Sequence, residues 1–296
     1  QVRAGLEQAG WSFEQQLRLE WSDAANDPAR YASLARAVVA RRPAVLLATE
    51  NMTTEALMNA TQELPIVVIG STNLHQVLDA QLRPLANVTG VTLGLQRQFF
   101  FKPMEVLLQA FPQARRIGLV SNSDNPMVKK DGSGLGPVPD MVRRAGAELF
   151  RVYFSGEAGI AAAWEELARL QVDAVMIQPD SPALLAAHAR QSLRLRLPAI
   201  SHHAWFSNRV GGLLSYGVVG RAEFCGRAAH YVDQVLRGRA VAELPVQELY
   251  EAGLSVNLDT AEQMGVQLPA ALIARADRLI RPQAASTPGG ISGKAP

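Results

Sequence analysis

Residues 127–139 read MVKKDGSGLGPVP, with Lys129 and Lys130 ahead of Gly132, Gly134 and Gly136. A glycine-rich turn between a strand and a helix can bring backbone N–H groups close to a phosphate. The dinucleotide fingerprint requires G-x-G-x-x-G, and a Walker loop requires its lysine after the glycines. Here the spacing is G-x-G-x-G, and Pro137 stands where the third glycine belongs. Both lysines precede the glycines, and the next basic residue is Arg143. These departures argue for a flexible surface loop rather than a phosphate cradle.

Ser215 in GLLSYG resembles a nucleophile elbow, but that motif needs glycine two residues earlier, where Leu213 stands. His202 and His203 close the run PAISHH. As neighbours on a strand they point to opposite faces, so one metal ion cannot normally take both. His75, His188 and His230 share no ligand spacing with them. A pocket-lining role for a histidine therefore ranks above a metal.

The ends of the apolar runs carry more information. Thr49-Glu50-Asn51, Ser71-Thr72-Asn73, Ser121-Asn122-Ser123-Asp124, Asp180-Ser181 and His202-His203 all follow candidate strands. In open α/β sheets, ligands bind beyond the carboxyl ends of the strands. Hydroxyls, amides and helix N-termini hold a carboxylate, and Asp180, Asp124 or Glu50 can meet an ammonium. The same residue types also cap helices. No nucleophile–base pair stands among them, so the pattern reads as binding without catalysis or cofactor. The expected ligand contacts are Thr49, Asn51, Ser71, Thr72, Asn122, Asp180 and His202, with Asp180 as the charged partner. Trp205 and Phe206 offer a stacking face, although an aromatic pair after a strand also suits a core.

Positioning these residues requires a regular α/β framework. Hydrophobic residues make up 48% of the 296, enough for a sizeable core, and a net charge of +2 gives no reason to expect nucleic acid. A single cysteine, Cys225, excludes an internal disulfide. No apolar run approaches the roughly 18–20 residues of a membrane helix. Strands are expected at 17–21, 44–49, 65–71, 116–121, 148–154, 173–179, 198–203 and 212–217. Helical periodicity marks 28–41, 54–62, 98–110, 139–145, 160–170, 182–193 and 221–237. Continuous apolar strands alternating with helices predict parallel sheets covered on both faces. Two extended segments follow within 244–259, then two short helices split around Pro269. Residues 282–296, rich in Pro, Gly, Ser and Ala, read as a disordered tail.

Several stretches in this order resemble the ABC transporter substrate-binding family related to tryptophan/tyrosine uptake components. They are ANVTGVT (86–92), LPAISHHAWF (197–206), GGLLSYG (211–217), AAHYVDQVLRGRAVAELPVQ (228–247) and LSVNLDTAEQMGVQLPAALIARADRLI (254–280). The resemblance implies a type I periplasmic-binding-protein fold: two doubly wound lobes with parallel sheets, joined by three crossings near Val88–Thr92, Ser215–Val219 and Pro245–Glu251. Lobe 1 would comprise 1–90 plus 218–247, and lobe 2 would comprise 91–217 plus 248–281. Implied with it are a signal peptide, a periplasmic or lipid-anchored extracellular location, and an ABC permease as membrane partner. The expected ligand is a small polar or amino-acid-like molecule, with or without an aromatic ring. The family's first central strand has no counterpart here, so preceding sequence is expected. Asn51-Met52 stands where the family has T-P, and Asn73-Leu74 where it has D-P. A ligand-sensing module of a signalling system shares this fold and remains open, as does a nucleotide-using α/β enzyme.

Overall fold

A computed structural model describes residues 1–25, 27–71, 74, 76–92, 101–125, 128, 135–178, 182–218, 221–249 and 252–281. The chain opens with helix α1 (Val2–Gln8) and α2 (Pro28–Ala40). Pro28 starts α2 and the Asp27 carboxylate accepts from Ala29 N at 2.9 Å, so the cap falls where the sequence placed it. Strand β1 (Leu46–Ala48), helix α3 (Asn51–Ala60) and strands β2 (Ile66–Ser71) and β3 (Val88–Thr92) follow. Helix α3 begins three residues earlier than its apolar spacing implied. Glu50 accepts from Met52 N and Thr53 N, each at 2.8 Å, and nucleates the first turn.

Two sheets result among the described residues. The first has the order β1-β2-β3-β9, all parallel, with β9 at Gln247–Glu248. One face is covered by α2 and α3, through Ala35 and Leu57. The other is covered by α1 and α9 (Arg221–Leu236), through Leu6, Phe224, Ala229 and Val232. ANVTGVT is thus more than a connector: β3 is buried along its whole length between β2 and β9. The segment 17–21 is not a strand. Leu19 and Trp21 are exposed, and Glu20 instead pairs with Arg41 at 2.6 Å. A strand needs a ladder partner to satisfy its backbone, and no described strand lies beside this one.

The second sheet uses β4 (Arg116–Asn122), β5 (Glu148–Phe154), β6 (Ala174–Ile177), β7 (Ala199–Ser201), β8 (Leu214–Val218), β10 (Ala252–Asn257) and β11 (Arg278–Ile280). Its order is β11-β10-β8-β7-β6-β4-β5, parallel except where β8 meets β10. Helices α4 (Lys102–Ala110), α5 (Val138–Arg144), α10 (Leu258–Met264) and α11 (Ala270–Ala274) cover one face. Helices α6 (Ile160–Arg169), α7 (Leu185–Arg194) and α8 (Trp205–Asn208) cover the other. The run after Pro269 ends as strand β11 rather than helix, because Arg278–Ile280 pairs in parallel with Ser255–Asn257. The chain therefore forms two α/β lobes, each with a core on both sides of its sheet. Residues 282–296, read as a disordered tail, lie outside the described residues.

Two polar contacts anchor the cores. In lobe 1, Trp11 Nε1 donates to Asp233 at 2.8 Å, and Arg237 Nε donates to the same carboxylate at 2.7 Å. Burial raises the carboxyl's pKa, but those two donors and the guanidinium charge outweigh it and hold it below the usual range. In lobe 2, Trp164 Nε1 donates to His188 Nδ1 at 2.9 Å, and Phe154 packs edge-on against the imidazole at 5.1 Å. His188 is fully buried, and its Nε2 has no hydrogen-bond partner among the described residues. Burial lowers its pKa from 6.5 to about 4. The unfolded imidazole takes up a proton below its ordinary pKa of 6.5, whereas the folded one resists until about 4. Stability should therefore fall as pH drops through that window, by at most about 1.4 kcal/mol per pH unit from this group. Urea denaturation at several pH values checks this: His188→Gln should flatten the slope between those limits, and an unchanged slope would remove His188 as the cause.

Candidate functional site

The topology sends each chain crossing out of a carboxyl edge of one sheet. The chain leaves lobe 1 after the carboxyl end of β3 and enters α4, which runs back along lobe 2 into β4. It returns after the carboxyl end of β8, and crosses again between β9 and β10. Because β10 is antiparallel to β8, with Ala252 opposite Val218, its first residue lies at that same carboxyl edge. Val218 and Arg221 are three residues apart, so that crossing spans at most about 11 Å. Every crossing joins one carboxyl edge to the other.

On the lobe 1 edge, Thr49 is exposed and Asn51 is half-buried. Ser71 is fully buried; its hydroxyl donates to Asn51 Oδ1 at 3.0 Å, and its carbonyl accepts from the Thr92 hydroxyl. Three successive strand ends are thereby tied together, and Ser71 acts on the edge through Asn51. Thr92, which the sequence reading left out, completes the set; its strand was hidden because ANVTGVT looked like a hinge. Glu50, considered as a partner for an ammonium, is engaged locally by the α3 N-terminus and by Tyr31. The Tyr31 hydroxyl is pushed up to about 12 by burial first, then by the charges of Glu50 and Asp23 and a hydrogen bond to Glu50. Thr72 lies outside the described residues.

On the lobe 2 edge, Asn122 is half-buried and its Oδ1 accepts from Asp124 N at 3.0 Å. Asp124 accepts from the Ser155 hydroxyl at 2.9 Å and from Gly156 N at 2.8 Å, so this carboxylate holds the β5 exit. Ser121 donates to Gln178 Oε1 at 2.6 Å, which adds Gln178, just past β6, to the edge. Asp180 lies outside the described residues, as do Gly132 and Gly134 of the glycine-rich loop. The loop's last glycine, Gly136, has φ +50, and a Cβ there would meet the Phe101 ring at 2.3 Å. That end of the loop packs onto the residue preceding α4.

The histidine pair departs from the sequence reading. Strand β7 stops at Ser201, so His202 and His203 do not alternate across it; their rings meet T-shaped at 6.0 Å. Part of His202 remains exposed, yet its Nδ1 is buried. Burial, then the neighbouring His203, lowers its pKa to about 3. No group of three His, Cys, Asp or Glu side chains suited to a metal occurs among the described residues. Phe206 is fully buried in the core and cannot supply a stacking face, whereas Trp205 is half-buried. Ser215 is also fully buried, 2.6 Å from the Ser207 hydroxyl, where no substrate reaches it as a nucleophile.

Gly217 on β8 underlies the pair: a Cβ there would lie 1.8 Å from the His202 carbonyl oxygen. Backbone cannot yield as a side chain does, so Gly217→Ala should destabilise the protein by about 1–3 kcal/mol. It should also weaken ligand binding, because both His202 and the crossing after Val218 must shift. Thermal melts and titrations of the variant test this, and unchanged values for both would show that the contact relaxes freely.

Comparison with known proteins agrees with this geometry. Residues 2–280 match the family of the ABC transporter substrate binding protein. The chain is 21% identical over 271 residues to the tyrosine-binding protein of Clostridioides difficile (strain R20291), covering 88% of this chain and 74% of that one. A conserved domain protein from Vibrio cholerae O1 biovar El Tor superposes with a TM-score of 0.80 at 23% identity, over 94% of this chain and 92% of the other. The ABC domain in complex with L-Trp from Streptococcus pneumonia gives 0.78 at 19% identity, with the same coverage. These likenesses establish the fold as that of the type I periplasmic binding proteins. Since the family match spans the chain almost end to end, the protein belongs to the ABC transporter substrate-binding proteins, which are solute-binding proteins and not enzymes.

Proposed function

We propose that this protein captures a small amino-acid-like solute in the cleft between its lobes and delivers it to an ABC permease. The carrying observation is that every crossing joins the carboxyl edge of one sheet to that of the other, and that these edges carry amides, hydroxyls and imidazoles. A tyrosine-binding relative and an L-Trp-bound structural neighbour favour an amino acid as ligand. The contacts would come from Thr49, Asn51 (set by Ser71), Thr72, Asn122, Asp180 and His202. Lobe 1, which holds β3 and β9 through Thr92 and Glu248, and lobe 2, which holds β8 through Val218, would close on the ligand, because contacts to both stabilise the closed state over the open one. Such a protein works outside the cytoplasm, in the periplasm or lipid-anchored at the cell surface. No described helix is long and apolar enough to cross a membrane.

A thermal-shift screen of the twenty amino acids, nucleobases and small carboxylates tests the reading. A ligand at a hundred times its Kd should stabilise the native state by about 2.7 kcal/mol. Asn51→Ala should weaken that ligand about tenfold or more, since a buried hydrogen bond to a charged group contributes about 1.5–3 kcal/mol. No stabilisation by any compound, or unchanged affinity in Asn51→Ala, would overturn the reading or the assignment respectively.

A further inference from the structure

We infer that Gly70, Ser71 and Thr92 are positioning residues, which hold the Asn51 side chain in its binding orientation from β2 and β3. The inference rests on the proposed function, in which Asn51 is a ligand contact, and adds what sets that contact. Along most of β2 and β3 the register is even: Ile66 stands opposite Val88, and Ile69 opposite Val91. It then slips, and Ser71 stands opposite Thr92, so two steps on β2 match one on β3. The extra residue is Gly70, with φ +78. That left-handed backbone is open to glycine and strained for a residue with a Cβ.

The slip decides where Ser71 points. Side chains alternate along a strand. Ile66 and Val68 pack on the α2–α3 side of the sheet, Val67 and Ile69 on the α1–α9 side. An unbroken strand would send Ser71 to the α1–α9 side with Ile69. Set opposite Thr92, one residue past Val91 of the α1–α9 cluster, it faces α3 instead. There its hydroxyl donates at 3.0 Å to Oδ1 of Asn51, the first residue of α3. Thr92 fixes Ser71 in turn by donating its hydroxyl to the Ser71 carbonyl. The Thr92 carbonyl accepts from Leu249 N at 3.0 Å, which ties this row to the segment after β9. Ser71 and Thr92 are fully buried, so each acts through Asn51 rather than on a ligand. Register slips of this kind disrupt the ladder locally and re-aim a side chain. A contact set in place beforehand binds with less ordering cost than a free one.

A double-mutant cycle on the whole protein tests the inference, read by isothermal titration with the tightest binder among the twenty amino acids. Ser71→Ala should weaken binding about fivefold or more, and Thr92→Val about threefold or more. In an Asn51→Ala background, Ser71→Ala should cause no further loss, because its effect passes through the amide already removed. Gly70→Ala should weaken binding as Ser71→Ala does. Should Gly70→Ala fail to fold, the cycle carries the test alone. A role confined to folding predicts a lower melting temperature with native affinity in Ser71→Ala, or an equal loss in both backgrounds. Either result would overturn the inference and leave the proposed function standing, as would native affinity in Asn51→Ala. Binding of none of the twenty amino acids by the native protein would overturn both.

Discussion

The antiparallel pairing of β8 with β10 is the constraint on which the rest of the molecule depends. It places Val218 opposite Ala252, so two of the three crossings leave lobe 2 side by side at one edge. A lobe whose strands were all parallel would send the chain out at the carboxyl edge and receive it back at the amino edge. Reversing one strand brings both passages to the carboxyl end of β8 and leaves only a few residues in each of them. Any rigid-body movement of one lobe against the other must then be absorbed in those residues.

The distribution of apolar contacts fits that arrangement. Each of the four hydrophobic clusters belongs to a single lobe, two flanking each sheet. Apolar burial therefore stabilises each lobe internally and does little to set the angle between them. A ligand that touches both edges can then bias that angle through its differential interactions. The polar staples within the lobes have another part. Asp233 fastens Trp11 to α9, and the Ser207–Ser215 hydroxyl contact fastens the short helix α8 to the sheet. They keep the residues of each edge in place.

Much of the framework was legible in the sequence because continuous apolar runs and helical spacing are local signals. The run ELFRVYF became β5 at the residues expected, and Asp27 with Pro28 set the start of α2. The failures were all of partnership. LRLEW has the composition of a strand but no described strand beside it to pair with, and it is coil. Residues 278–280 continue a helical pattern, yet a parallel register with β10 draws them into the sheet. PAISHH was read two residues too long, which put the two histidine rings on opposite faces when they are in contact.

For the site, the sequence alone determined which residue types stand at the strand ends and that they suit binding rather than catalysis. Those are properties of composition and order along the chain. Only the tertiary structure decided which groups are already engaged. Glu50 and Asp124 bond backbone amides nearby, Ser71 acts through Asn51, and Phe206 disappears into the core while Trp205 stays at the edge. A side chain's hydrogen-bond partners and its exposure depend on residues distant in sequence but adjacent in space, and no local pattern carries that information.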